Sequence, residues 1–296
     1  MSRNKRRLNI PQQKAAKTTN KQPKLPPQPI QESNPFGLSF VVPTEMVKLP
    51  SKGNFYEQGN PLRGVTEIEV KSMTAAEEDI LINDSYVQQG TVFDRLIDSI
   101  LMTTGITSQD MMDCDKIAVL MSARKTGYGD LVTFDVNCGN CNAPYSMDVS
   151  LTQMMEDSLG DNSANNDNQD WEVDENTNTY SFKLPVTGLD INIRILTPSD
   201  LKALEASQEQ KQKLNLPFNE TLEFLRLAIV SAQGIDDRTS INKLVEILPA
   251  ADARKIRLVH NLNLPKVSTV KTTTCPNCSH TEEKEVPFSL GWFWSK

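Results

Sequence analysis

Hydrophobic residues recur along the chain at two different periods, and these predict two kinds of element. Branched apolar residues alternate with polar ones at 66–70 and again at 191–195, which is the period of a half-buried strand. Two longer stretches place an apolar residue at every third or fourth position, and each ends at a glycine, Gly105 or Gly234, that suits a helix C-terminus. The apolar stripes consist of Phe93, Leu96, Ile97, Ile100 and Leu101 in the first stretch and of Leu222, Leu225 and Ile229 in the second. The pattern therefore predicts an α+β fold.

These elements follow the same order in two parts of the chain, which indicates an internal repeat. Asp115 lies 23 positions before Cys138, and Asp252 lies 23 positions before Cys275. In both intervals a helical pattern gives way to alternating residues just before a Cys-x-x-Cys pair. Equal, ungapped spacing is difficult to obtain by chance. We therefore expect two related halves, each a helical block followed by a strand hairpin that carries two cysteines.

Two segments have the composition of disordered chain. Residues 1–36 are rich in Pro, Gln, Lys and Asn and have almost nothing to bury, which predicts a disordered arm that serves as a solvated tail or as a basic docking segment. Residues 156–176 are acidic and polar, which predicts a linker. The chain then divides into this arm, a first half at 37–155, the acidic linker, and a second half at 177–296.

The two Cys-x-x-Cys pairs are the strongest chemical signal in the sequence. Cys138 with Cys141 and Cys275 with Cys278 each lie between short strand-like segments, as in a zinc knuckle, and together they supply four thiolates. Four thiolates close a tetrahedral zinc shell, so we predict one structural zinc ion per chain that joins the two halves. A thioredoxin-like redox centre is less favoured, because polar strand residues rather than a helix follow each pair. Unmetallated thiols remain an alternative, and Cys114, which has no partner at metal-ligand spacing, reads as a small buried residue.

Charge is distributed unevenly along the chain. Residues 1–36 contain eight Lys or Arg side chains against Glu32 alone, while the whole chain has a net charge of −7, so the remainder carries −14. A body this acidic argues against nucleic acid as the main partner, and a zinc-ribbon protein that binds nucleic acid through its basic arm is the less favoured alternative. No apolar run reaches the roughly 18 to 20 residues that span a bilayer, and the N-terminus lacks the apolar stretch of a secretory signal. We therefore expect a cytosolic protein without a membrane span.

The sequence contains no motif that indicates catalysis. A nucleotide-binding loop, a metalloprotease helix and a nucleophile elbow are all missing from it. His280 follows Cys278 closely but is not needed for a four-cysteine shell, and His260 lies on a predicted helix without a neighbouring nucleophile pattern. We expect a protein that has no catalytic residues and no small-molecule substrate and that acts by binding other proteins.

Two segments are candidates for a partner-binding surface. The chain ends with three large rings, Trp292, Phe293 and Trp294, which either fill the core or form an exposed anchor of the kind that dominates interface energetics. We take the exposed anchor as the prediction to be tested. Lys52 and Tyr56 lie in a segment punctuated by Pro and Gly and form the second candidate surface.

Several separated motifs together resemble the T4-like phage baseplate hub assembly chaperone family, and the resemblance runs from about residue 40 to the end of the chain. The motifs are EMVKLPSKGNFY at 45–56, MTAAEEDIL at 73–81, TGYG at 126–129, both Cys-x-x-Cys pairs, and the terminal WFW at 292–294. The family's Leu-Pro-x-Lys-Gly pattern falls on residues 49–53, and the resemblance assigns no role to it.

The resemblance implies a late protein of a contractile-tailed phage. Such a protein is made in the bacterial cytoplasm, binds baseplate hub proteins and acts as a chaperone when the hub of the tail baseplate is assembled. A permanent structural subunit of the baseplate hub, present in the virion, is the alternative.

Overall fold

The computed structural model describes residues 42–159, 170–174, 177–286 and 289–294. The predicted disordered arm at 1–36 lies outside these residues, as does most of the predicted acidic linker. Among the helices that the described residues form, none combines the length and the apolar character needed to cross a membrane.

Helices and strands are mixed along the chain, which confirms the α+β prediction. In chain order they are β1 (Thr44–Lys48), β2 (Glu67–Lys71), α1 (Ala75–Leu81), α2 (Asp84–Gln88), α3 (Val92–Ile100), α4 (Asp113–Tyr128), β3 (Leu131–Asn137), β4 (Pro144–Ser150), α5 (Leu151–Leu159), β5 (Trp171–Asp174), β6 (Thr179–Lys183), β7 (Asp190–Arg194), α6 (Pro198–Lys213), α7 (Glu220–Ala228), β8 (Ile229–Ala232), α8 (Arg238–Ile247), α9 (Ala250–Asn263), β9 (Val270–Thr274) and β10 (Thr281–Glu285). Short 3-10 turns occur at Ser108–Asp110 and Leu290–Trp294.

The strands pair in an antiparallel manner throughout the described part of the chain. The pairs β1–β2, β3–β4 and β9–β10 are hairpins, and a larger sheet has the strand order β5-β6-β7-β8. The inner faces of β2 and β7 carry the branched residues of the alternating pattern, and Ile68, Val70, Ile191 and Ile193 are buried. The core thus lies between these sheets and the helices that follow them.

Secondary structure enters the predicted linker at 156–176 from both sides, because local packing outweighs its polar composition. In α5, the Ser158 hydroxyl accepts a hydrogen bond from the Ser268 backbone N–H at 2.8 Å and is buried. In β5, the Trp171 ring lies under the Lys255 ammonium group, which is 5.6 Å from the ring centre. Between these two elements, residues 160–169 lie outside the described chain, and the linker prediction is not tested there.

Corresponding helices begin in the same way in the two parts of the chain. Both α1, which follows β2, and α6, which follows β7, start with a capping box whose third helical residue is a carboxylate, Glu77 or Asp200. Each carboxylate also binds the last residue of the preceding strand. Lys71 Nζ lies 2.9 Å from Glu77, and the Arg194 guanidinium lies 2.6 Å from Asp200. The strand-to-helix connection is therefore held by the same kind of ion pair in both places.

A buried aspartate at the start of α4 holds the turn that follows β1. Asp115 is fully buried, and it accepts hydrogen bonds from the Ser51 backbone N–H at 3.0 Å, the Ser51 hydroxyl at 2.5 Å and the Tyr56 hydroxyl at 2.5 Å. The Tyr56 oxygen in turn accepts the Met112 backbone N–H at 3.0 Å. These contacts give the Leu-Pro-Ser-Lys-Gly segment a structural role, because its turn supplies hydrogen-bond donors that the buried Asp115 carboxylate requires.

The glycine of this turn is required by both conformation and space. Gly53 has a φ of +71°, which favours glycine, and a Cβ added to it would lie 2.5 Å from the Val65 backbone nitrogen. The preceding Lys52 also has a positive φ, 51°, and its side chain is exposed. The turn therefore bends back onto the segment that leads to β2. The Gly64 backbone N–H donates a hydrogen bond to the Gly53 carbonyl at 3.0 Å.

A second buried aspartate makes the same arrangement after β6. Asp252, near the start of α9, accepts the backbone N–H groups of Val186 at 2.8 Å and Thr187 at 3.0 Å, together with the Thr187 hydroxyl at 2.7 Å. Burial raises the pKa of Asp252, but these donors outweigh it and hold the pKa below its usual range. The turn is Leu-Pro-Val-Thr-Gly at 184–188, so a Leu-Pro-x-x-Gly turn is tied to the helix before each cysteine hairpin.

Replacing Asp115 by alanine should destabilise the protein strongly. The substitution leaves the buried Ser51 and Tyr56 donors without their acceptor, and each unsatisfied group costs about 1–3 kcal/mol, so we expect a loss of about 3 kcal/mol or more in urea unfolding. Asp113→Ala, an exposed aspartate in the same helical turn, is the matched control and should change stability by less than about 1 kcal/mol. Equal effects of the two substitutions would show that the turn is held by something else.

Candidate metal centre

The first cysteine pair lies in a tight turn between β3 and β4. The Cys138 backbone N–H donates to the Ala143 carbonyl at 3.0 Å, and the Asn142 N–H donates to the Cys138 carbonyl at 2.9 Å. Asn142 adopts a φ of 56°, a conformation that asparagine tolerates better than most residues. The turn reverses the strand and brings the sulfurs of Cys138 and Cys141 to one side of it.

The second pair, between β9 and β10, repeats this turn bond for bond. The Cys275 N–H donates to the His280 carbonyl at 2.9 Å, and the Ser279 N–H donates to the Cys275 carbonyl at 2.9 Å. Ser279 has a φ of 57°, which matches the corresponding residue of the first turn. Two Cys-x-x-Cys turns of the same conformation are therefore presented to each other.

The four sulfur atoms converge on one point. All of them lie within 4.8 Å of one another, and the Cys138–Cys278 and Cys141–Cys275 sulfur pairs are 3.6 and 3.8 Å apart. Disulfide sulfurs would be about 2.0 Å apart, whereas four sulfurs bound to one zinc ion at about 2.3 Å lie roughly 3.8 Å from each other at tetrahedral angles. The donor set and its spacing therefore fit a closed tetrahedral metal shell, which leaves no coordination position for a substrate.

The groups around the four sulfurs shift the pKa values of two thiols in opposite directions. The Asn277 amide is the main group that lowers the pKa of Cys141, to about 6. For Cys278 the His280 N–H lowers the pKa, but burial and the neighbouring thiols of Cys141 and Cys138 outweigh it and raise the pKa to about 11. Four thiolates this close repel each other, and a divalent cation would remove that repulsion.

The other cysteine and the nearby histidine do not join this cluster. Within the described residues the convergent set consists of the four knuckle cysteines, and His280 contributes its backbone rather than its ring. Cys114 is buried next to Asp115, to which its thiol donates at 3.5 Å, and burial raises its pKa. Cys114 is thus a core residue, as predicted.

A polar contact also joins the two hairpins beside the sulfurs. The Gly139 backbone N–H donates to Glu282 Oε1 at 3.0 Å, and a Cβ on Gly139 would lie 2.7 Å from the other Glu282 oxygen. Lys284 pairs with the same carboxylate at 3.1 Å. Glycine at the second position of the first turn therefore leaves room for the Glu282 carboxylate beside the backbone N–H.

Three of the five residues predicted to contact a partner are buried in the structure. Trp292 is 2% exposed and Phe293 is fully buried, so these two rings fill the core and are not an exposed anchor. Tyr56 is also buried, because its hydroxyl binds Asp115. Lys52 is exposed, and Trp294 retains 40% of its surface. Of the five predicted contact residues, only these last two are available to a partner.

Packing at a distance in sequence explains why the two rings are buried. The Phe293 ring lies 6.2 Å from the ring of Phe93 on α3 and meets the Trp292 ring edge-on at 5.3 Å. The 3-10 turn at the chain end places these rings against helices of the first part of the chain. Their truncation would open cavities in the core rather than remove a contact with a partner.

The structure adds one exposed residue that sequence reasoning did not select. Tyr128, at the end of α4, is 37% exposed; its hydroxyl donates to Glu78 at 2.9 Å and accepts a hydrogen bond from the Trp294 indole. The Arg124 guanidinium lies 5.3 Å from the centre of the Tyr128 ring. Tyr128 belongs to the Thr-Gly-Tyr-Gly motif at 126–129, but that motif carried no functional assignment, and nothing in the sequence connects it with Trp294.

The described chain is thus an α+β protein that gathers four cysteines from two distant hairpins, and it belongs to a known family. A family model described as T4 bacteriophage base plate protein matches residues 42–293, which is most of the chain. This match confirms the resemblance seen in the sequence motifs and supports a role in the phage baseplate. No curated protein and no solved structure matches the chain significantly.

The metal content of the purified protein tests this centre directly. We expect about one metal ion per chain by elemental analysis under reducing conditions, and we expect Cys138→Ser and Cys275→Ser to lose it equally, since each removes one ligand from the same shell. Cys114→Ser is the control and should keep the metal. Two ions per chain, or loss of the metal from only one of the two knuckle variants, would contradict a shared site.

Proposed function

We propose that this protein is a non-enzymatic assembly factor that acts in the host cytoplasm and binds baseplate hub proteins while the tail of a contractile-tailed phage is built. The observation that carries the proposal is the family match over residues 42–293. The closed four-cysteine set supports a structural rather than a catalytic metal, because no ligand position remains for a reacting group. The alternative, a permanent structural subunit of the baseplate hub, is supported by the same match.

The proposed metal is zinc. Cys138, Cys141, Cys275 and Cys278 would hold it, since four thiolates in a tetrahedral arrangement are the usual ligand set of structural zinc. Bound zinc would add its binding free energy to the folded state and cross-link the two hairpins. The repeated turns, ion pairs and buried aspartates further support the inference that the chain consists of two related halves, which the ion would join in a zinc-ribbon-like site.

The exposed pair of Tyr128 and Trp294 is the proposed contact with a hub protein, and Lys52 is a further candidate at a separate position. Tyr, Trp and Arg are the residue types enriched at interface hot spots. The hydrogen bonds from Trp294 to Tyr128 and from Tyr128 to Glu78 hold both rings in place before a partner arrives. Binding would then cost little side-chain entropy.

The amount of this protein in finished particles distinguishes an assembly factor from a structural subunit. Quantitative mass spectrometry of purified virions and of infected-cell lysate should find the chain in the lysate and far below the copy number of hub proteins in the virion. The reason is that an assembly factor dissociates from its client once the client has been incorporated into the baseplate. A fixed stoichiometric complement in the virion would instead establish the structural subunit.

Substitutions at the exposed pair test the proposed contact. Trp294→Ala combined with Tyr128→Ala should leave the metal content intact and reduce capture of hub proteins in a pull-down by roughly thirtyfold or more, since truncated hot-spot residues cost about 2 kcal/mol or more. Ile247→Ala is the matched control, because Ile247 is an exposed apolar residue, with 79% of its surface accessible, on α8. Unchanged capture by the double variant would place the binding surface elsewhere, and Lys52 would be tested next.

A further inference from the structure

Two asparagine side chains cross from each cysteine turn to the sulfur of the other. Asn140 Nδ2 lies 3.7 Å from Cys278 Sγ, and Asn277 Nδ2 lies 3.5 Å from Cys141 Sγ. Each asparagine is the third residue of its own Cys-x-Asn-Cys sequence, and each donates to the second cysteine of the opposite sequence. The two contacts are therefore related by the same approximate symmetry as the turns themselves.

Backbone N–H groups also donate to the sulfurs, and each of them donates to a cysteine of its own turn. The Asn140 N–H donates to Cys138 Sγ at 3.4 Å, and the N–H groups of Ala143 and His280 donate to Cys141 and Cys278. These backbone contacts form within a single hairpin. The two amide side chains differ from them because each one requires the other hairpin to be in place.

The conformation of the turns does not explain the choice of asparagine at these two positions. Asparagine is frequent in turns because it tolerates a positive φ. In both turns, however, the residue with positive φ is the fifth one, Asn142 or Ser279, and neither Asn140 nor Asn277 adopts such a conformation. Both side chains are exposed, so core packing does not select them either. What the two positions share is the contact with a thiolate of the opposite turn.

We propose that Asn140 and Asn277 are positioning residues of the metal centre, each of which orients and stabilises a thiolate ligand supplied by the opposite hairpin. The proposal rests on the metal site put forward above. Four thiolates around a divalent cation leave a net charge of −2, and N–H donors that point at the sulfurs disperse this charge. Groups that hold metal ligands in this way typically change metal affinity by 10–100-fold when removed.

The affinity of the full-length protein for zinc tests the proposal. Competition with a chromophoric chelator should show about a tenfold weaker zinc complex for Asn140→Ala and for Asn277→Ala, and up to about a hundredfold weaker complex for the double variant. The two single variants should be equal, because the contacts are related by symmetry. Asn137→Ala, an exposed asparagine on β3 next to the first turn, is the control and should match the wild type.

A spectroscopic measurement separates the positioning role from a general effect on folding. With Co²⁺ in place of zinc, loss of a donor to sulfur raises the energy of the sulfur lone pair. The sulfur-to-cobalt charge-transfer band should therefore move to longer wavelength in both asparagine variants but not in Asn137→Ala. The melting temperature of the metal-free protein should be the same for all variants.

The possible failures of the two proposals have different signatures. Wild-type protein that binds neither zinc nor cobalt would overturn the metal site itself. Wild-type protein that binds one ion, with asparagine variants whose affinity and charge-transfer band match those of the control, would overturn the positioning role alone and leave the metal site standing.

Discussion

The fold depends on two carboxylates that are buried at the start of long helices. Asp115 and Asp252 are fully removed from water, a position that is costly unless every lone pair finds a donor. The donors come from the turns that follow β1 and β6, so each aspartate fixes a strand pair to a helix, and the helix leads directly into a cysteine hairpin. Hydrogen bonds at the N-terminal ends of α4 and α9 therefore help to position the cysteine hairpins that follow these helices.

A metal ion at the cysteine cluster would in turn supply stability that the hairpins lack. Along β9 and β10 the residues alternate between exposed and half-buried, with no fully buried position, so this hairpin has little core of its own. Contacts such as Gly139 with Glu282 orient the two hairpins, but one exposed hydrogen bond contributes little. A shared ion would hold the pair far more strongly. The buried aspartates would then hold the starts of the helices, and the ion would cross-link the turns of the two hairpins.

Sequence reasoning located the cysteine cluster because ligand spacing is a local property, and equal spacing in two places is visible without coordinates. It could not assign the Leu-Pro-Ser-Lys-Gly turn, since its partner Asp115 lies 64 positions beyond Ser51. The prediction that Trp292 and Phe293 are exposed was wrong for a related reason, because rings at a chain end are placed by contacts with residues such as Phe93 that no local pattern reveals. The strand β5 was missed because its polar composition resembles a linker.

The long separation between the cysteine pairs also has a consequence for the order of events during synthesis. Cys141 and Cys275 are 134 positions apart, which corresponds to roughly 7 to 27 seconds of translation at about 5 to 20 residues per second. For that interval the first hairpin offers an ion only two thiolates, and a chain that lacks the second hairpin never offers more. A filled site would thus require that both hairpins have been translated, so metal binding would follow synthesis of the second hairpin and could not stabilise the first one before then.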